Sequence, residues 1–110
     1  MLKKVKVIKS ERTVARVGNL LERAVRGAVG HNEAYEVVVV KYRKEWRRIL
    51  VIPKDASYIT SVITQSVIDA VKPIISDYSL GQCFFGIENY EREENGEKVI
   101  YPALSVFVGI

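Results

Sequence analysis

The chain has 110 residues, 48% apolar and 27% charged, which suits one globular domain and excludes a disordered, fibrous or disulfide-stapled class. No apolar run approaches the roughly 20 residues that a bilayer-spanning helix needs. The net charge of +4 hides a division: residues 1–55 carry 14 Lys and Arg against six Asp and Glu, and residues 56–110 carry three against seven.

A polyanion would therefore meet the N-terminal half. The opening "MLKKVKVIKS" lacks the continuous apolar segment of a signal peptide, and a cytoplasmic location is the expectation. The single Cys83 cannot form an internal disulfide, which agrees. Lys, Arg, Glu, Val and Ile are abundant while Gln stands only at 65 and 82, a bias that thermophile proteins share.

Residues 3–9, "KKVKVIK", alternate Lys with Val or Ile and read as a half-buried strand. Ser10 can then cap a helix running to about Val29, with Gly30 as terminator. Val14, Val17, Leu21, Ala24, Val25 and Ala28 share one face at helical spacing. Arg12, Arg16, Asn19, Arg23 and Arg26 line the opposite face. Charges must lie opposite a core-facing stripe, but only Glu11 and Glu22 accompany these cations on the helix.

Residues 34–43 and 46–53 read as a hairpin, apolar on both faces at its base as inner strands are. A loop at Lys44–Glu45 would set Arg43 against Trp46, Tyr42 against Arg47 and Lys41 against Arg48. Lys41, Arg43, Trp46 and Arg48 would then share one face, with Tyr42 and Arg47 on the other. Neither loop residue is Gly or Asn, so the turn type is open.

Asp55 or Ser57 starts a second helix, "SYITSVITQSVIDAV", which Pro73 must end or kink. Its lack of charge before Asp69 implies wide cover, by the sheet or by another subunit, and makes 57–71 the expected homodimer surface. Two strands then flank Asn95–Gly96, the clearest hairpin signal in the chain. A two-residue loop there pairs Phe85 with Val106 and Ile87 with Leu104 on one face, and Phe84 with Phe107 and Tyr90 with Tyr101 on the other. Pro102 points to an edge position or a bulge for the last strand. The expected order is β-α-β-β-α-β-β in one domain, residues 1–110. Its class is α+β, an antiparallel-rich sheet with two helices mainly on one face.

No motif for catalysis emerges. Cys83 and His31 are the only Cys and His, too few for a zinc site within one chain, and no base-orienting motif accompanies them. The glycines of "VGNLLERAVRGAVG" lie inside a helix at the wrong spacing for a phosphate loop. The acids of "ENYEREENGE" decorate a hairpin tip. The expectation is a protein with no catalytic residue, metal or cofactor.

The feature left over is "VVVVKYRKEWRRILVI". Lys41, Arg43, Lys44, Arg47 and Arg48 would neutralise phosphates, while Tyr42 and Trp46 would stack on bases. Stacking is worth roughly 1–3 kcal/mol per base in single-strand binders, and bases in a duplex already hide their faces. Tyr90 and Tyr101 would add a second platform if the helix-free sheet face is open, and Arg12 and Arg16 further cations. The rival reading is structural: Trp46 covers the end of the core, Arg stems pack on its ring, and the charges protect a sheet edge. A third reading, from another class, is a module whose basic end binds an acidic protein surface.

With its "KYRKEWRR" strand tip, basic α+β organisation and thermophile-like composition, the chain resembles the ThermoDBP group of archaeal single-strand-binding proteins. The resemblance covers most of the chain in organisation, without a motif matched position by position, and no family residue is carried over. It implies binding of single-stranded DNA, or RNA, in a cleft combining hydrophobic and basic groups. The helix–strand–strand ending is also similar to Alba chromatin proteins, whose long hairpin grips duplex DNA or RNA. Two departures count against Alba: residues 34–53 insert a hairpin where that fold has one strand, and the last hairpin tip is acidic.

Overall fold

The computed structural model describes residues 10–30, 33–54 and 59–110. It contains α1 (Glu11–Val29), β1 (Tyr35–Tyr42), β2 (Trp46–Pro53), α2 (Ser61–Asp77), β3 (Gln82–Glu94) and β4 (Glu97–Gly109). The four strands form one antiparallel sheet in the order β1-β2-β4-β3. The fold is therefore α+β, with the order α-β-β-α-β-β among the described residues. The strand expected at 3–9 lies outside them.

α1 begins where its chemistry directs. The Ser10 hydroxyl accepts from the Thr13 N–H at 3.2 Å, and Gly30 ends the helix at φ 66°, its N–H donating to the Arg26 carbonyl. Val14, Val17, Leu21, Val25 and Val29 are buried. All but Val14 meet Ile49 and Val51 of β2 and Leu104, Val106 and Val108 of β4, and Val67 and Val71 of α2 join the same cluster. Both helices thus cover one sheet face.

α2 starts later than expected. Thr60 is its cap, accepting from the Ile63 N–H at 3.2 Å; Asp55 and Ser57, the expected starts, lie outside the described residues. Of the two outcomes expected at Pro73, an end or a kink, the end is corrected: the helix runs on to Asp77. An internal proline costs about 3 kcal/mol, and here the packing of Ile74 and Ile75 against the core beyond it offsets that cost.

The β3–β4 register matches the Asn95–Gly96 reading: Phe84 opposes Phe107, Phe85 Val106, Ile87 Leu104 and Tyr90 Tyr101. Asn95 and Gly96 both have positive φ, 52° and 78°, as the two-residue turn requires.

β4 is a central strand, so the edge expected from Pro102 is corrected; β1 is an outer strand among the described residues. β2 pairs with β4 from Trp46↔Gly109 to Val51↔Leu104. Continued two residues further, that register sets Pro53 against Pro102. The hydrogen-bonding alternation directs both of their missing N–H groups into the space between the two strands. Two prolines thus end the ladder, and the rest of the β3–β4 hairpin continues as a two-stranded arm in a molecule 55 Å long.

Candidate nucleic-acid interface

The β1–β2 connection decides which residues meet. Tyr42 pairs with Trp46, Lys41 with Arg47 and Val40 with Arg48. The loop is therefore Arg43–Lys44–Glu45, three residues rather than two, with Arg43 at φ 58°. A one-residue change of register moves every side chain of one strand to the opposite face relative to its partner. The expected sharing of one face by Lys41, Arg43, Trp46 and Arg48 is thereby corrected: Trp46 and Arg48 are together, Lys41 and Arg47 share the helix side, and Arg43 belongs to the loop. The Tyr42 side chain lies outside the described residues.

Arg47 explains how a loop without glycine holds its shape. It is buried (8% exposed), and its Nη1 donates to the Lys44 carbonyl at 3.0 Å and the Trp46 carbonyl at 2.9 Å. Gly18 of α1 makes room for it, since a Cβ there would lie 3.0 Å from Arg47 Nε. The Ile110 N–H also ties the loop at the Glu45 carbonyl, 2.6 Å away. Arg47 is thus a fastener of the turn, turned away from the face that carries Trp46.

That face carries the aromatic array. The Trp46 and Phe107 rings stack with centroids 4.6 Å apart and planes 20° from parallel. Gly109, the register partner of Trp46, permits this: a Cβ there would sit 3.1 Å from indole Cη2. Phe84 follows on β3, directly opposite Phe107 and 58% exposed. Three aromatics on three adjacent strands form a row roughly 10 Å across, at about 4.8 Å per strand. No helix covers it among the described residues.

Arg48 stands beside the row. Its guanidinium carbon lies 5.6 Å from the Phe107 ring centroid and its Nη2 3.4 Å from Glu88 Oε2. Its Nε is buried and makes no hydrogen bond among the described residues. Lys41, Arg43 and Lys44 are exposed around the loop, where Lys44 Nζ reaches Glu11 at 3.5 Å. A pair this exposed contributes at most about 1 kcal/mol and leaves the ammonium accessible.

The other candidates are elsewhere. Tyr101 is buried (4% exposed), its hydroxyl donating to Glu94 at 2.7 Å. That bond, together with the carboxylate's charge, pushes the phenol above its ordinary pKa. Arg92 lies over both tyrosine rings, 5.4 Å from Tyr90 and 5.7 Å from Tyr101, and binds Glu36 at 2.9 Å; the Glu36 bond raises the guanidinium pKa. This cluster is satisfied internally and offers no open stacking platform. Arg12, Arg16 and Arg23 line a shallow depression of about 350 Å³ on the outer face of α1, across the helix layer from the aromatic row.

Sequence reasoning paired Phe84 with Phe107 but did not count them as site residues. The missing information was that β2 lies beside β4, which brings Trp46 to them. No three or more His, Cys, Asp or Glu converge to hold a metal among the described residues, and no helix there is long and apolar enough to cross a membrane. Neither a protein-family model, nor a curated protein, nor a solved structure matches the chain.

Proposed function

We propose that the protein is a non-catalytic, sequence-tolerant binder of single-stranded DNA or RNA, in the manner its resemblance to the ThermoDBP group implies. The observation that carries this reading is the row Trp46–Phe107–Phe84 on the sheet face that no helix covers among the described residues, with Arg48 at its side. Unpaired bases lie flat on such rings whatever their sequence. Arg48, with Arg43 and Lys44 at the adjoining tip, supplies cations for the phosphates on either side, while Lys41 is turned to the helix side. Arg47 supports the tip. A duplex binder of the Alba kind would need the cations but not the aromatic row, of which Phe84 is the exposed member, because its bases present no faces.

Trp46 is the only tryptophan, so its fluorescence reports directly on the row. Titration with a short single-stranded oligonucleotide at low salt should quench it saturably, and single-stranded competitor should reverse the change better than duplex. An unchanged signal together with no mobility shift would refute the proposal. Preference for duplex competitor would favour the Alba-like alternative. Weak, non-saturating binding beside a stoichiometric complex with an acidic protein would favour the interaction module.

A further inference from the structure

β3 is an outer strand, and one of its edges faces no other strand among the described residues. The two-residue loop makes Glu94↔Glu97 a mutually hydrogen-bonded pair, so even-numbered residues of β3 bond to β4. Odd-numbered residues, Cys83 to Glu93, direct their N–H and C=O groups outwards. Thirteen residues at about 3.4 Å each make an edge about 44 Å long. Soluble proteins blunt such edges with proline, lysine or short strands. This one contains neither Pro nor Lys, and exposes Phe84 at 58%, Phe85 at 36% and Ile87 at 59%.

The charge pattern selects the occupant. Gln82–Ile87 carries no charge, whereas Glu88–Glu94 carries four Glu and one Arg. Antiparallel pairing of two copies about Ile87 would oppose Gly86 with Glu88, Phe85 with Asn89, Phe84 with Tyr90 and Cys83 with Glu91. No carboxylate then faces a carboxylate. Every outward-bonding residue also meets another outward-bonding residue, so the backbone donors and acceptors match.

We propose that the protein forms a homodimer in which two β3 edges pair antiparallel about a two-fold axis at Ile87, joining two four-stranded sheets into one of eight strands. The axis is normal to the sheet, so both aromatic rows lie on the same side of the dimer. This pairing uses the backbone edge of β3 and requires no ligand on the aromatic row. The competing surface is the charge-poor outer side of α2, where Val62 is 71% exposed.

Sedimentation of the full chain without nucleic acid tests the proposal. The expected mass is about 25 kDa, twice the 12.5 kDa of one chain. Ile87→Lys sets two cations against each other at the axis and should halve the mass. Asn89→Pro removes one outward N–H while sparing the bonds to β4, and should do the same if the first variant fails to fold. Val62→Lys should remain dimeric. A wild-type chain monomeric up to millimolar concentration overturns the proposal. So does a dimer that survives Asn89→Pro and folded Ile87→Lys, or one that Val62→Lys alone dissociates.

Discussion

Phe84→Ala separates a binding role from a structural one more cleanly than any change at Trp46. Trp46 stacks on Phe107 and covers Gly109, so removing it disturbs fold and surface together. Phe84 is 58% exposed and sits opposite Phe107 on the outer strand. Its truncation forfeits a cross-strand aromatic pair worth about 0.2–1 kcal/mol, which lowers the melting temperature by up to about 4–8 °C in a domain of this size. If a base stacks on the ring, affinity should fall by roughly 1–3 kcal/mol, or about 5- to 160-fold. The assay is the Trp46 fluorescence titration at several salt concentrations. The slope of log affinity against log salt should stay constant, since no phosphate contact is lost. A folded Phe84→Ala protein with unchanged affinity would refute the stacking argument.

Three further outcomes follow from the geometry. Glu88 occupies Arg48 at 3.4 Å, so Glu88→Gln should tighten single-strand binding by up to about fivefold, the value of an exposed ion pair; equal or weaker binding would mean that Arg48 does not reach phosphate. Arg47→Ala removes a buried donor to two loop carbonyls and should cost about 1–3 kcal/mol in denaturant unfolding, leaving the salt slope unchanged; a slope lower by about 0.7 would instead make it a phosphate contact. Burial pushes the Cys83 thiol from an ordinary 9.0 up to about 11, so alkylation at pH 8 should run about 100-fold slower than for a free thiol. The same burial contributes stability below pH 9 that is lost as the pH rises through about 11, and a flat alkaline stability profile would contradict it.

The parts of the fold legible in the sequence are those set by local chemistry. Ser10 and Gly30 bracket α1, and Asn95–Gly96 determines the β3–β4 register because few other pairs accept two positive φ angles in succession. The tip at Arg43–Glu45 lies one residue from where local chemistry sets it because its positive φ falls on an arginine. What holds it is Arg47, bonded to two neighbouring carbonyls only because Gly18 of α1 leaves it a seat, and no local pattern announces that seat. α2 overran its apparent limit because core packing beyond Pro73 outweighed a local cost. The aromatic row was half visible: its Phe84–Phe107 part follows from the Asn–Gly turn, while Trp46 joins only through the β2–β4 pairing.

The facing prolines, Pro53 and Pro102, have a consequence for how the molecule opens. Neither can donate to the other strand, so cooperative pairing across β2 and β4 stops there. Residues 104–109 of β4 are locked between two strands, whereas among the described residues 97–101 pair with β3 alone. The arm meets β1 and β2 only through side chains, Tyr101 against Leu50 and Ile52 and Arg92 on Glu36. Amide protons should accordingly fall into two exchange classes with the boundary at Pro102, those of the arm exchanging through partial opening and those of the sheet only through global unfolding. The outer end of the arm, beyond the Tyr101 and Arg92 contacts that tie it to β1 and β2, is where such opening should begin, with the aromatic row and the core beneath it intact.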